Sequence, residues 1–240
     1  MSAAKSYLGA KNGSGVYQAI INLMPPHVKY IEAFLGTGAV MRKKAPALIN
    51  IGLEKSPGAI DAFNRAAGKS FLPVQVLNCC AIEWLEQLYN QKSQFNTVER
   101  TLIYLDPPYV HSTRTSKARY EYELTDSDHR RLLRVIKRLA VMGGVNVMIS
   151  GYRNSIYDSM LEGWFSKDFQ AMTRGGVRTE TVWCSFQPGE VHYHTYAGEN
   201  YIERQRIKRK ADRWAKRFAK MPPMEKQAVM SALLSIESNT

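Results

Sequence analysis

Two kinds of hydrophobic pattern alternate along the first two thirds of the chain. Short apolar or β-branched runs occur at Val28–Phe34, Leu48–Leu53, Val74–Asn78, Thr101–Leu105 and Val145–Ile149, each with the length and composition of a buried strand. Between them, apolar residues recur at helical spacing. Val16, Ala19, Ile20 and Leu23 form one such face, Ile82, Leu85 and Leu88 a second, and Leu132, Leu133, Ile136 and Leu139 a third. A helix is also expected to begin near Ser56-Pro57, with Pro57 in its first turn, and another to begin within Ala39–Lys44. Strands alternating with helices predict an α/β domain built on a mainly parallel sheet. The pattern then changes. Segments around Phe169–Met172 and Thr181–Phe186 read as strands without a helix between them, and Arg174-Gly175-Gly176 lies near their turn, so an antiparallel hairpin is expected.

The last forty residues differ again. Ile207, Ala211, Trp214 and Phe218 mark one face of a helix over 202–220, and basic side chains crowd the rest of it. Pro222-Pro223 breaks this helix, and Val229, Leu233, Leu234 and Ile236 follow on a second. The division expected is a domain over 1–200 and a basic amphipathic helical tail over 201–240, with no internal repeat or long low-complexity linker.

Charge sharpens this picture. Lys and Arg outnumber Asp and Glu by 33 to 21 in 240 residues, a formal +12, which suits a polyanionic partner such as nucleic acid. In the tail, Arg209, Lys210 and Arg213 are placed to meet phosphates if the basic face lies along a nucleic-acid backbone; an amphipathic helix docked on the domain would leave the same charges in water. Cys79, Cys80 and Cys184 have neither the number nor the spacing of a disulfide framework or a zinc site. No apolar run approaches the ~20 residues that span a bilayer. Met1-Ser2-Ala3-Ala4-Lys5-Ser6 lacks the apolar core of a signal peptide, so a cytoplasmic protein is expected.

Candidate chemistry gathers at strand ends. Thr101–Leu105 runs straight into Asp106-Pro107-Pro108-Tyr109, which sets a carboxylate, a stiff backbone with few donors and an aromatic ring where a strand leaves the sheet. Ligands of open α/β sheets bind outside those carboxyl ends. Leu35-Gly36-Thr37-Gly38 is a strand-to-helix turn where the backbone can approach a ligand closely. Met41 occupies the third glycine position of the dinucleotide fingerprint, which disfavours NAD and leaves a smaller nucleoside-containing ligand. Glu54, at the end of the second strand, has the spacing of an acid that accepts ribose hydroxyls; capping the next helix is a compatible role. The glycine-rich opening Tyr7–Gly15 does not spell a phosphate loop. Between His111 and Tyr122, Arg114, Lys117 and Arg119 mingle with Tyr120 and Tyr122, a composition fit to hold phosphate and stack bases, and equally that of a solvated loop.

In this order, the glycine turn, Glu54 and Asp106-Pro107-Pro108-Tyr109 resemble the Dam-like DNA adenine N6-methyltransferases. Tyr7-x-Gly9-Ala10-Lys11 resembles the family's aromatic-x-Gly-Gly-Lys motif, and Glu32-Ala33-Phe34-x-Gly36-x-Gly38 its acidic-Pro-Phe-x-Gly-x-Gly motif. Ser150-Gly151-Tyr152 and Glu180-Thr181-x-Trp183 are similar to segments of phage and prophage relatives, and a restriction-modification setting goes with such relatives. The resemblance covers about residues 5 to 187. Ala33 replaces a proline, and Cys80 stands where relatives carry an Asp that contacts the cofactor's adenine. The interval Gln91–Arg100 is too short for the family's target-recognition domain.

The resemblance implies a Rossmann-like S-adenosylmethionine-dependent methyltransferase sheet acting on double-stranded DNA without a metal. It implies that Asp106, Pro107 and Tyr109 are catalytic, with Tyr109 stacking on an adenine flipped out of the duplex. Tyr7, Lys11, Glu32, Phe34, Gly36, Gly38, Glu54 and Asp106 would hold the cofactor. Cytosine N4, RNA adenine or a protein glutamine remain open as the methylated amine, as does an inactive DNA-binding relative.

Overall fold

The computed structural model describes residues 15–67, 74–91, 100–113, 121–173, 176–192, 197–198 and 200–237. The chain divides into two compact units, Met1–Tyr193 and His194–Thr240.

The first unit is built on one seven-stranded sheet. Its strands are β1 (Lys29–Ala33), β2 (Ile49–Glu54), β3 (Gln75–Asn78), β4 (Thr101–Leu105), β5 (Val145–Gly151), β6 (Phe165–Thr173) and β7 (Gly176–Cys184). Its helices are α1 (Val16–Ile21), α2 (Pro57–Ala67), α3 (Ala81–Asn90), α4 (Asp126–Ala140) and α5 (Ser155–Met160). The sheet order is β3-β2-β1-β4-β5-β7-β6. The first five strands in that order are mutually parallel, and β7 runs antiparallel to both of its neighbours. The predicted hairpin is therefore present, with its second strand inserted beside β5.

Period two along the strands assigns the two faces. Ile31 and Ala33 of β1, Ile103 and Leu105 of β4, and Val147 and Ile149 of β5 join one core with α3, α4 and α5. The alternate residues Tyr30, Glu32, Tyr104 and Ser150 are buried on the opposite face. All five residues of β4 are buried, as a central parallel strand requires. α4 opens on a capping box. Thr125 Oγ1 accepts from the Asp128 N–H at 3.2 Å, while the Asp128 carboxylate accepts from the Thr125 N–H at 2.9 Å. Its expected apolar face, Leu132, Leu133, Ile136 and Leu139, is fully buried.

One expected element is replaced. No helix starts within Ala39–Lys44; the segment is a series of turns, with Arg42 N–H donating to the Gly38 carbonyl and Lys43 N–H to that of Val40. Two features explain this. Pro46 restricts the residue before it away from the helical region. Lys44 turns inward, 5% exposed, its Nζ donating to the Ala45 carbonyl at 2.6 Å and lying 4.2 Å over the Tyr30 ring.

The second unit holds α6 (Tyr201–Ala219) and α7 (Pro223–Glu237). Asn200 caps α6 by accepting from the Glu203 N–H at 2.9 Å. α6 carries eight basic side chains against the acidic Glu203 and Asp212, and none of its residues is buried. Arg209, Lys210 and Arg213 are exposed along it, and Trp214 is exposed with the Arg217 guanidinium 5.3 Å from its ring centre. No helix among the described residues is long and apolar enough to cross a membrane.

Candidate active site

The carboxyl ends of β1, β2, β3 and β4 frame a cleft, and the turns that leave them supply its walls. After β1 the backbone enters the left-handed region three times, at Phe34 (φ 62°), Gly36 (φ 53°) and Gly38 (φ 61°). Glycine holds this conformation without cost, whereas Phe34 bears a penalty of about 1–2 kcal/mol. The tight coil between Ala33 and Ala39 results, and a Cβ added at Gly38 would lie 2.4 Å from the Phe63 ring of α2.

Glu54 fixes this coil. One carboxylate oxygen accepts from the Gly36 N–H at 2.7 Å and the other from the Ser56 N–H at 2.8 Å. Ser56 Oγ in turn accepts from the Ala59 N–H at 3.2 Å and so caps α2. The acid thus latches the glycine turn to the loop after its own strand, while a carboxylate's remaining lone pairs stay available.

Asp106 sits at the rim of β4, its N–H donating to the Ala33 carbonyl at 3.4 Å. Ser150 Oγ lies 2.9 Å from Asp106 Oδ1, 3.3 Å from the Leu105 carbonyl and 3.0 Å from Tyr104 Oη. A serine hydroxyl has one proton, so donation to the nearer Asp106 leaves the Tyr104 hydroxyl as donor to Ser150. The result is a buried relay, Tyr104 to Ser150 to Asp106, that grips the carboxylate through Oδ1 and fixes its orientation at the rim.

Beneath the rim lies a second polar group. Tyr30 Oη donates to Glu32 Oε2 at 2.9 Å. Burial pushes the Glu32 carboxyl up to about 8, with the nearby Asp106 adding to the rise and the Tyr30 bond and Lys44 opposing it. Burial likewise brings Lys44 down to about 7, against the pull of Glu32. Both groups are driven toward their neutral forms.

Of the residues expected to act, Glu32, Phe34, Gly36, Glu54, Asp106 and Pro107 line this one cleft. Gly38 shapes the turn behind it. Tyr109 does not line it: the residue is 8% exposed and its ring packs against Tyr152 at 4.5 Å between centres. Tyr7, Lys11, Arg114, Lys117 and Arg119 lie outside the described residues. Arg209, Lys210 and Arg213 belong to the second unit.

Of the other wall residues, Tyr122 and Cys80 were singled out in the sequence, while Glu121, Glu123, Leu124 and Cys79 were not. Glu121 to Leu124 line the cleft, tied to β2's loop by the Ser56 hydroxyl donating to Glu121 Oε2 at 2.6 Å, with Lys55 Nζ 4.8 Å from the Tyr122 ring centre. Cys79 and Cys80 both line the cleft beside Ile82. Ser150 belongs to a motif legible in the sequence, but no periodicity links it to Asp106; only strand register does. Among the described residues no cluster of His, Cys, Asp or Glu could hold a metal ion.

A glycine-turn cleft at the carboxyl rim of a sheet ordered β3-β2-β1-β4-β5-β7-β6, with β7 alone reversed, is the Rossmann-like architecture of S-adenosylmethionine-dependent methyltransferase sheets. Residues 78–179 match the D12 class N6 adenine-specific DNA methyltransferase family, in agreement with the motif resemblance. That span contains Asp106-Pro107-Pro108-Tyr109 and Ser150, while the glycine turn and Glu54 precede it. S-adenosylmethionine is the methyl donor of such enzymes. No curated protein matches the sequence.

Solved structures similar to this chain include an S-adenosylmethionine-dependent methyltransferase from Agrobacterium tumefaciens, at 13% identity and TM-score 0.45, covering 70% of this chain and 58% of that one. The N-methyltransferase NodS from Bradyrhizobium japonicum WM9, solved with S-adenosyl-L-homocysteine, is 14% identical with TM-score 0.45 and covers 70% of this chain and 83% of its own. The magnesium protoporphyrin IX methyltransferase of Synechocystis PCC 6803, with bound cofactor, is 11% identical with TM-score 0.42, covering 70% and 74%.

Proposed function

We propose that the protein transfers a methyl group from S-adenosylmethionine to the N6 amine of adenine in double-stranded DNA, with the base extruded into the cleft. The observation that carries this reading is the shared cleft: Asp106 and Pro107 line the same cavity as Phe34, Gly36 and Glu54.

The residues present fit the cofactor. Glu54 keeps lone pairs for ribose hydroxyls, and Leu53, Cys79, Cys80 and Ile82 give an apolar wall for an adenine ring. Cys80 offers no carboxylate acceptor to the adenine's amine, so this wall binds by contact rather than by a charged hydrogen bond. Bound there, S-adenosylmethionine supplies a methyl already activated on a sulfonium.

The chain's own part is to prepare the nucleophile. Adenine's amino nitrogen is weakly nucleophilic because its lone pair is delocalised into the ring. The Asp106 carboxylate and the Pro107 carbonyl each accept one amino hydrogen and draw the nitrogen toward tetrahedral geometry. The nitrogen's pair forms the new N–C bond as the S–C pair returns to sulfur. The surplus amine proton leaves to Asp106 and then to water. Placement and electrostatics supply most of the acceleration. Base extrusion costs a few kcal/mol of unstacking. The basic α6, through Arg209, Lys210 and Arg213, adds sequence-independent phosphate contact.

The test is incubation with unmethylated duplex DNA and methyl-labelled cofactor, followed by nucleoside analysis. N6-methyladenine is the expected product. Label confined to cytosine, RNA or protein, or absent altogether, overturns the reading. Asp106→Ala abolishes transfer while cofactor binding persists; activity above a few per cent of wild type would contradict the role assigned to Asp106.

A further inference from the structure

The hairpin of β6 and β7 is longer than the sheet it closes. Pairing of β5 with β7 ends at Gly151 with Thr181, whereas pairing of β6 with β7 continues to Thr173 with Gly176. Phe169–Thr173 and Gly176–Glu180 therefore pair only with each other. Five residues at about 3.4 Å each make a ribbon projecting about 17 Å beyond the rim. Because β7 runs against β5, the projection is on the rim where Asp106 lies.

A second cleft opens at the foot of this ribbon. It has a volume of about 430 Å³ and is lined by Ser112, Thr113, Tyr152, Arg153, Arg178 and Thr179. Among the described residues no carboxylate lines it, while two guanidiniums and an aromatic ring do. Arg153 is committed to Asp158 at 3.1 Å, Asp168 at 3.4 Å and the Ser166 hydroxyl at 3.0 Å, so it builds the wall. The Arg178 guanidinium lies 5.7 Å from the Tyr152 ring centre. Tyr152 in turn packs on Tyr109, which follows the Asp-Pro-Pro turn directly. A guanidinium held against a ring, next to hydroxyl-bearing residues, is suited to accept a phosphodiester.

We propose that this cleft is a phosphate-binding subsite for the DNA strand that carries the target base, with Arg178, laid over the Tyr152 ring, as its anion ligand. The proposal rests on the adenine-methyltransferase reading. It gives the projecting ribbon a role in fixing the strand on the side of Asp106 away from the cofactor.

The experiment compares full-length wild type with Arg178→Ala and Arg178→Lys. Binding to a fluorescent DNA duplex is measured by anisotropy between about 50 and 300 mM salt, and cofactor affinity and Tm are measured alongside. Arg178→Ala is expected to lose about three- to tenfold in DNA affinity at fixed salt. Its plot of log K against log salt flattens by about 0.9, the loss of one phosphate contact. Cofactor affinity stays at the wild-type value, because Arg178 does not line the cleft at Gly36 and Glu54, and Tm reads out separately any packing lost at Tyr152. Arg178→Lys recovers most of the slope. An alanine variant with wild-type affinity and slope, or a lysine variant as weak as alanine, overturns the subsite. Wild type that binds no duplex removes the methyltransferase reading itself; wild type that binds and methylates beside an unaffected Arg178→Ala removes only this inference.

Discussion

Ser150→Ala isolates the hold on the Asp106 carboxylate, the group proposed to grip the adenine amine. The hydroxyl is fully buried and donates to Asp106 Oδ1 at 2.9 Å, while the Tyr104 hydroxyl approaches it at 3.0 Å. A hydrogen bond to a charged acceptor is worth about 1.5–3 kcal/mol. Asp106 is only partly buried, so water restores part of that, and about 1–2 kcal/mol is the expected net loss of orientation. At about 1.36 kcal/mol per decade, kcat falls about 5- to 30-fold. KM for the cofactor stays within about twofold, since Ser150 does not line the cofactor cleft. Losing a buried partner for Tyr104 costs about 1–2 kcal/mol of stability, or a few degrees in Tm. Tyr104→Phe leaves the Ser150 donor in place and lowers kcat less. The assay is steady-state methylation of a duplex with both substrates varied, alongside thermal melts. A Ser150→Ala enzyme within about twofold of wild-type kcat would refute the relay, as would a Tyr104→Phe enzyme slower than Ser150→Ala.

Three further outcomes are expected. Glu32 holds a proton in the folded state up to about pH 8 that the unfolded chain releases near its ordinary value of 4.5, so it makes stability fall as pH rises through that window, by at most about 1.4 kcal/mol per unit. Lys44 acts in the opposite sense only above about 7, so denaturant melts at pH 5 and pH 7 should show Glu32→Gln losing less stability than wild type; parallel losses would contradict the buried-acid assignment. Gly38→Ala forces a Cβ to within 2.4 Å of Phe63 at φ 61°, and is expected to cost about 1–3 kcal/mol and to weaken cofactor affinity, as denaturation and calorimetry would read. Neutralising Arg209, Lys210 and Arg213 together flattens the salt dependence of DNA binding, and an unchanged slope would deny the tail its phosphate contacts.

The strands were legible because each carries a run of apolar residues that a doubly covered sheet demands, and Glu54 and Asp106 because they end such runs. Cooperation between distant strands was not legible. Ser150 meets Asp106 only because β4 and β5 pair Leu105 with Ile149, a register no local pattern encodes. The helix expected over Ala39–Lys44 failed for a similar reason. Its residues favour helix locally, but Lys44 is drawn inward to Tyr30 and Pro46 closes the route onward. The contact between Tyr109 and Tyr152, a partner 43 positions away in the chain, had no signal in the sequence either.

The Glu54 latch has a thermodynamic corollary. A loop that must be ordered by its ligand charges the ligand for that ordering, and association then shows slow phases and a large unfavourable entropy. Here the coil at Gly36 is already stapled at both carboxylate oxygens before any nucleoside arrives. Hydrogen exchange at the Gly36 and Ser56 amides should be slow in the empty enzyme and change little on saturation, so that capture of the methyl donor proceeds as entry into a rigid mould.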